Sequence, residues 1–281
     1  MVIMTCANID KAKEKYSDYY GQWYRDFSFR SVIEQTVKKA RECGYTPVVY
    51  DLGELGIGEP FHIVDETFAK KGYYEVEVQA GYKSRSLFKP EVVKYCLSKH
   101  KDLMVYLDGD AQLMGSIDEI RSDDYDIGVT LRKPSELKEE WHQRLFEIAK
   151  YVNAGVIFFN PTPETFSFID KWEKRTYEVG NDQKALNQLA CPDYYPKVYG
   201  IETINGVRIK YFPCEKYNYY YFNDGYRPGV KIIHFKGQYR NFFPFNLKNR
   251  IHCIVVVPIL NRLKFIAKNL RIADNIQKLK K

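Results

Sequence analysis

Two aspartates stand one residue apart, Asp108 and Asp110, at the end of an apolar run in the stretch MVYLDGDAQLMG. In a strand the side chains of residues i and i+2 project from the same face, so these two carboxylates could bind one cation together. A second interpretation is a solvated turn after a buried strand, because Asp and Gly are ordinary turn residues. The spacing alone leaves both interpretations open.

The sequence before this pair predicts alternating strands and helices. Strands are expected at 2–6 and 46–53, with a helix over 31–43 between them, and a second helix over 89–99 leads into the strand that carries the aspartates. This order predicts an α/β domain with a mostly parallel sheet. Ligands of such sheets bind beyond the carboxyl ends of the strands, so the fold prediction favours the metal interpretation.

The same alternation continues after the aspartates. We expect strands at 125–131 and 154–160 with a polar helix over 136–150 between them, then helices over 162–180 and 181–190, an Asn-Gly hairpin over 201–212 and a strand at 229–235. The chain shows no internal repeat or interdomain linker. It is therefore expected to form one domain over residues 1–245, followed by a C-terminal segment over residues 246–281.

Composition limits the class of protein. A chain of 281 residues that is 45% hydrophobic can bury a substantial core. Its six cysteines include no C-x-x-C pair, so neither a zinc site nor a disulfide framework is expected, and reduced thiols predict a cytoplasmic location. No leader is apparent, and no apolar run approaches the roughly 18 residues that a membrane-spanning helix needs.

The positive charge is concentrated in the C-terminal segment. The chain holds 43 Lys and Arg against 36 acids, but residues 246–281 hold nine bases and one acid, which leaves 34 bases and 35 acids in the body. A body with a charge of −1 does not suit a nucleic-acid partner, and none is expected. After Pro258 the segment has helical apolar spacing, so it predicts a basic amphipathic helix. This helix could lie on the cytoplasmic face of an anionic membrane or pack on the body.

Four separated segments match one pattern: VYLDGDAQL, YVNAGVIFFN, NDQKALNQL and IIHFKGQYR. In order and spacing over residues 1–245 they resemble the Asp-X-Asp, Asn-X-Gly, Asp-Gln-X-X-Leu-Asn and His-Phe-X-Gly motifs of GT-A fold glycosyltransferases, in the retaining group of glycogenin and the lipopolysaccharide galactosyl- and glucosyltransferases. The resemblance implies a Rossmann-like GT-A domain. It also implies transfer of a hexose from a UDP-linked donor to a glycan or glycolipid acceptor, with retention, in polysaccharide or lipopolysaccharide biosynthesis.

The resemblance also implies roles for individual residues. Asp108, Asp110 and His234 would hold Mn²⁺ or Mg²⁺, which suit carboxylate and, for Mn²⁺, imidazole ligands. A cation that bridges the phosphates would stabilise the departing nucleoside diphosphate. Catalytic positions near the transferred sugar would be taken by Asn153, Asp182, which would bind donor hydroxyls, and Gln183, beneath the anomeric carbon. Residues implied to bind the donor are Ala7, Asn8, Lys83, Arg85, Asp108, Gly155, Lys236 and Gly237.

Three alternatives remain at this point. The chain could be a non-catalytic module that docks on membrane or RNA, or an inverting transferase of the same fold with Asp182 as the base. In the third alternative Asn181 only caps its helix and Asp182 only complements the helix dipole, and neither takes part in the chemistry. The tyrosine-rich stretch at 217–221 is expected to contact a carbohydrate acceptor.

Overall fold

The structure is a computed structural model, and it describes residues 1–7, 28–52, 57–60, 89–139, 143, 150–224, 228–236, 240, 243, 259 and 262–263. Within these residues the strands are β1 (Val2–Ala7), β2 (Thr46–Asp51), β3 (Glu59–Pro60), β4 (Met104–Asp108), β5 (Ala111–Leu113), β6 (Ile127–Leu131), β7 (Val152–Phe159), β8 (Ile201–Ile204), β9 (Val207–Pro213) and β10 (Ile232–His234). The helices are α1 (Phe29–Glu42), α2 (Lys89–His100), α3 (Pro163–Val179), α4 (Asp182–Ala190) and α5 (Cys214–Tyr217).

Eight of these strands form one sheet in the order β3-β2-β1-β4-β7-β6-β9-β8. Strands β7 and β8 run antiparallel to their neighbours, and the other six run in one direction. This arrangement confirms the predicted α/β class and the mostly parallel sheet. A second, small sheet pairs β5 with β10 in antiparallel register.

Strand β4 shows how the core is divided between the two faces of the large sheet. Met104 and Tyr106 lie in a cluster that includes side chains of α2, α3 and α4, whereas Val105 and Leu107 lie in a separate cluster on the opposite face. This alternation follows from the two-residue period of a strand. A strand buried on both faces reads as a continuous apolar run, and the first polar residue after Leu107 marks the edge of the sheet.

Local signals fix several element boundaries where the sequence predicts them. Thr162 caps α3 by accepting from the Thr165 backbone N–H, and Asn181 caps α4 by accepting from the Lys184 backbone N–H. The hairpin between β8 and β9 turns at Asn205 and Gly206, both with positive φ, as an Asn-Gly turn requires.

The polar helix expected over 136–150 is wrong at its start. Glu136–Lys138 form a short 3-10 helix that ends at Glu139, whose backbone is extended. The side chain of Glu136 is buried by partners described below, so a tertiary contact overrides the helical pattern there. Residues 140–142 and 144–149 lie outside the described part of the chain.

The C-terminal segment lies mostly outside the described residues. Ile259, Arg262 and Leu263 are described; each is helical, and the two apolar side chains are exposed. Among the described helices, none is long and apolar enough to cross a membrane. The division at residue 245 stays a prediction.

Candidate functional site

The polar end of the sheet gathers the side chains that the sequence singles out. Strands β4 and β6 end at this edge, and β7 begins there because it runs antiparallel to both. Asp108 is the last residue of β4, Asn153 is the second residue of β7, and Arg132 follows β6 directly. This is the edge at which ligands of open α/β sheets bind.

The pairing of β5 with β10 brings His234 to the two aspartates. His234 lies opposite Ala111 in this small sheet, and the Phe235 backbone N–H donates to the Asp110 carbonyl at 2.9 Å. Ligand atoms of Asp108, Asp110 and His234 all lie within 4.8 Å of one another. The three residues could therefore hold one metal ion, and a solvated turn alone would not bring a histidine from so far along the chain.

A network of amides fixes the imidazole of His234. Asn218 Nδ2 donates to Thr130 Oγ1 at 2.8 Å and to Asn153 Oδ1 at 3.0 Å, so the Asn218 oxygen must face His234 Nδ1, 2.9 Å away. Nδ1 then carries a proton, and in the neutral ring Nε2, 3.1 Å from Asp110 Oδ1, is left as an acceptor that could bind a metal ion. Two acceptors at this distance need a positive charge between them or on the ring. The carboxylates of Asp108 and Asp110 and the imidazole of His234 therefore suit a bound metal cation.

Gly155 is required by the close approach of His234. A Cβ atom at position 155 would lie 2.3 Å from Cε1 and 2.6 Å from Nδ1 of the imidazole. The glycine therefore leaves the space that the ring occupies. This packing accounts for the glycine of the Asn-X-Gly segment, beside the donor-binding role that the resemblance implies.

Arg240 contacts the candidate metal ligands as well. Its Nη2 donates to Asp110 Oδ2 at 2.6 Å, on the carboxylate oxygen that His234 does not face. Burial would raise the pKa of Asp110, but Arg240 and His234 hold that pKa well below its usual range. Asp110 is therefore an ionised, buried carboxylate, as a metal ligand must be.

Lys89 connects the candidate metal ligand Asp108 to Asp182, which is expected near the sugar. Its Nζ lies 3.0 Å from Asp108 Oδ1 and 2.7 Å from Asp182 Oδ2, and it donates to the Ala154 carbonyl at 3.1 Å. Burial would lower the pKa of Lys89, but the two carboxylates raise it above the usual lysine range. The side chain is 4% exposed, so it is a charged group held inside the protein.

Gln183 follows Asp182 in the first turn of α4. Its Oε1 accepts from the Ala154 backbone N–H at 3.2 Å and from Arg132 Nη2 at 3.4 Å. Asp182 is fixed at the same helix start, where its carbonyl accepts from the indole N–H of Trp172 at 2.9 Å. The N-terminal cap and the ion pair with Lys89 occur together, so capping does not exclude a role in binding.

These side chains surround one cavity of about 320 Å³. Its lining includes Lys89, Asp108, Asn153, Asp182, Gln183 and His234. Gly155, Lys236 and Arg132 also line it. The cavity is at the lower end of the size range of small-molecule sites, about 300 to 1,000 Å³, and its walls are strongly polar.

Lys236 points into this cavity with its ammonium 3.4 Å from the centre of the Tyr220 ring. Burial, and then the charge of Arg132, lower the pKa of Lys236 well below the usual lysine range. Among the described residues no carboxylate lies within 4.0 Å of it. An anionic ligand would stabilise the charged form of this side chain.

The remaining predicted residues divide into two groups. Ala7 ends β1, one residue beyond the position that pairs with Asp108, so it lies at the edge of the sheet that holds the site. Asn8, Lys83, Arg85 and Gly237 lie outside the described residues.

The tyrosine-rich stretch does not supply an exposed surface for sugars. Tyr217 and Tyr219 are each 1% exposed, and the hydroxyls of Tyr220 and Tyr221 both donate to Glu136 Oε2 at 2.8 Å. The expectation that these rings contact an acceptor is wrong for the described structure, because they pack in the core.

Sequence reasoning missed three residues of the site: Lys89, Arg132 and Asn218. A lysine at the start of a helix opposes the helix dipole, which is a local signal that it has another partner. Arg132 follows an apolar strand just as Asp108 does, so the same rule could have found it. Asn218 carries no such signal in the sequence.

Comparison with known proteins agrees with this geometry. The family model described as nucleotide-diphospho-sugar transferase matches residues 97–241. A crystal structure of a glycosyltransferase involved in the glycosylation of the major capsid of PBCV-1 is similar over 86% of this chain and 98% of its own, with 12% identity and a TM-score of 0.50. At this identity the likeness shows the fold.

Further solved structures are similar at lower scores. The galactosyltransferase LgtC, in complex with donor and acceptor sugar analogs, has 15% identity and a TM-score of 0.44 over 84% of this chain and 87% of its own. Mouse xyloside xylosyltransferase 1 has 13% identity and a TM-score of 0.43 over 83% of this chain and 97% of its own. No curated protein matches by sequence. The family model spans more than half of the chain and includes both aspartates and His234, and the chain therefore belongs to the nucleotide-diphospho-sugar transferase family and is a glycosyltransferase.

Proposed function

We propose that this glycosyltransferase moves a hexose from a UDP-linked donor to a glycan or glycolipid acceptor, with Mn²⁺ or Mg²⁺ at Asp108, Asp110 and His234. The observation that carries the proposal is the convergence of these three ligand atoms within 4.8 Å, with Asp108 and His234 lining a polar cavity. A bound divalent cation supplies charge neutralisation of the departing diphosphate as a Lewis acid.

The side chains around this cavity have different roles in the proposed reaction. Lys89 immobilises the carboxylate of Asp182, which suits an acceptor of hydrogen bonds from donor hydroxyls. Lys236 offers a positive charge for the diphosphate beside His234. The amide network around Asn153 keeps its oxygen on Gly155 N and Asn218 Nδ2, so Asn153 supports His234 in addition to lining the cavity.

Binding of UDP tests the proposal directly. We expect calorimetry of the full chain to show UDP binding that depends on Mn²⁺ and that Asp110→Asn abolishes, because one ligand loses its charge. The matched control is Asp193→Asn, since the Asp193 side chain is fully exposed and does not line the cavity. Binding that is equal in the presence and absence of Mn²⁺, or unchanged in Asp110→Asn, would contradict the assignment of the metal ligands.

We propose retention of configuration at the anomeric carbon. In a front-face reaction a donor phosphate oxygen can accept the acceptor's proton, so no separate protein base is needed. One oxygen of Asp182, Oδ2, is already engaged by Lys89 at 2.7 Å. NMR of the first product formed from an α-linked donor should show an α linkage; a β product would point to the inverting alternative.

We also propose that the segment 258–281 docks on an anionic membrane surface. Ile259 and Leu263, four residues apart on one helical face, are 53% and 57% exposed, as an unburied apolar stripe would be. Replacing both with Asp should remove co-sedimentation with phosphatidylserine vesicles. The control Ile201→Asp alters another exposed apolar residue and should bind as the wild type does. Equal sedimentation of all three proteins would refute docking through this stripe.

A further inference from the structure

A buried arginine in the cavity wall contacts the amide of Gln183. Arg132 is 3% exposed, and the two terminal nitrogens of its guanidinium contact different residues. Nη1 donates to Glu136 Oε1 at 2.6 Å and to Tyr220 Oη at 3.2 Å, whereas Nη2 donates to Gln183 Oε1 at 3.4 Å. One edge of the guanidinium is therefore anchored in the core, and the other reaches the cavity wall.

Glu136 is held as tightly as the arginine that it binds. Its second oxygen, Oε2, accepts from the hydroxyls of Tyr220 and Tyr221, each at 2.8 Å. Burial would raise the pKa of Glu136, but Arg132 and Lys236 hold that pKa below its usual range. Both carboxylate oxygens are thus engaged, and the Arg132 guanidinium has little freedom to rotate.

The backbone of Arg132 is also fixed. Its N–H donates to the Tyr151 carbonyl at 2.8 Å, and its carbonyl accepts from the Tyr195 hydroxyl at 2.7 Å. A buried ion pair costs desolvation that an apolar pair of the same volume would avoid, so stability alone is a weak reason for it. What the pair provides here is a fixed direction for Nη2.

The contact decides which way the Gln183 amide faces. Ala154 N and Arg132 Nη2 are both donors, so the oxygen of Gln183 must face them and its nitrogen must lie on the other side of the amide. The guanidinium of Arg132 and the backbone N–H of Ala154 thus select the same orientation of the amide.

We infer that Arg132 is a positioning residue that sets the orientation of the Gln183 amide, and that Glu136 with the Tyr220 and Tyr221 hydroxyls holds Arg132 in place for this purpose. The inference rests on the proposed function in so far as Gln183 faces the transferred sugar. A misplacement of about 1 Å at a reacting group can cost on the order of 100-fold in rate, so this orientation matters to turnover.

A kinetic double-mutant cycle tests the inference in the full chain. Arg132→Lys keeps a charge beside Glu136 but loses the planar fork that reaches Gln183. We expect it to lower kcat roughly 10- to 100-fold, with the donor KM within about twofold of wild type. In the Gln183→Ala background the same change should alter kcat by less than about twofold, because the two residues act as one unit. Arg208→Lys is the control, since Arg208 pairs with Asp124 and Asp126 away from the cavity.

A second measurement does not depend on catalysis. In the ¹⁵N-labelled protein the side-chain amide signal of Gln183, identified by its loss in Gln183→Ala, should shift in Arg132→Lys. It should also shift in Tyr221→Phe, because the Tyr221 hydroxyl contacts Glu136 and reaches Gln183 only through the network. Arg208→Lys should leave it unchanged.

The outcomes separate the two proposals. An unmoved Gln183 signal in both variants overturns the inference whatever the substrate is, and so does an effect of Arg132→Lys on kcat that is equal in the two backgrounds. A shifted signal together with wild-type kcat in Gln183→Ala shows that Gln183 has no role at the sugar. That result overturns the proposed role of Gln183, and with it the functional part of the inference, while the contact itself stands.

Discussion

Removal of the Lys89 charge should destabilise the protein strongly, because it leaves two carboxylates facing each other inside the site. In Lys89→Met the methionine fills much of the same space, but Asp108 and Asp182 lose the ammonium that lies 3.0 and 2.7 Å from their oxygens. Breaking a buried ion pair by removing one partner costs about 3–5 kcal/mol. The Asp182 side chain is 4% exposed, so the loss of Lys89 leaves its charge buried without the ammonium beside it. The Asp108 side chain is 28% exposed, so water partly solvates its charge.

We therefore expect a loss of about 3 kcal/mol, at the lower end of that range. For a chain of this size such a loss lowers the melting temperature by roughly 6–12 °C. Differential scanning calorimetry at neutral pH measures the shift. UDP binding should fall as well, because Asp108 loses a contact that holds it at the metal site.

Two further variants make this prediction specific to the buried network. Lys94→Met removes a lysine of the same helix whose partner Asp170 is exposed, and it should change the stability by less than about 0.5 kcal/mol. Adding Asp182→Asn to Lys89→Met should restore part of the lost stability, because the buried charge is removed with its partner. A Lys89→Met protein that melts with the wild type would refute the reasoning, since the carboxylates would then not depend on the lysine.

Three further predictions concern the proposed metal site. Asn218→Ala should weaken Mn²⁺ binding about 10- to 100-fold in calorimetry, because the bond that orients the His234 ring is lost; unchanged affinity would show that the ring needs no such support. Gly155→Ala should cost about 1–3 kcal/mol in chemical unfolding and abolish Mn²⁺ binding, since its Cβ would occupy the position of the imidazole, and a fully stable, metal-binding variant would contradict the packing. Arg240→Gln should tighten Mn²⁺ binding in the absence of nucleotide, because a cation competing for Asp110 is removed; weaker binding would mean that Arg240 does not oppose the metal.

The local parts of the site could be predicted from the sequence. Asp108 and Asp110 lie two positions apart, on one strand and the turn that follows it, and the alternation of faces follows from strand geometry alone. The caps at Thr162 and Asn181 likewise depend on residues three positions apart. The role of His234 could be predicted only from the family resemblance. Its position depends on the pairing of β5 with β10, and no periodic pattern in the sequence predicts that pairing.

The parts that sequence reasoning missed depend on contacts between distant segments. Lys89 meets Asp182, and Arg132 meets Gln183, only because the strand order places β4, β7 and β6 side by side. The error over 136–150 has the same origin: Glu136 fits a polar helical face, yet it is drawn into the core by Arg132 and two tyrosine hydroxyls. A polar pattern does not distinguish a solvated carboxylate from one buried against a fixed cation.

The pairing of charges also bears on the order in which ligands bind. Each of the two aspartates proposed to bind the metal already has a protein cation beside it, Lys89 for Asp108 and Arg240 for Asp110. A divalent cation that binds alone must therefore compete with Arg240, whose Nη2 lies 2.6 Å from Oδ2, for the negative charge of Asp110. A diphosphate that arrives with the cation offers the guanidinium another anion, so the competition is relieved. Cation and nucleotide should consequently bind cooperatively, and by linkage each should raise the affinity of the other by the same factor.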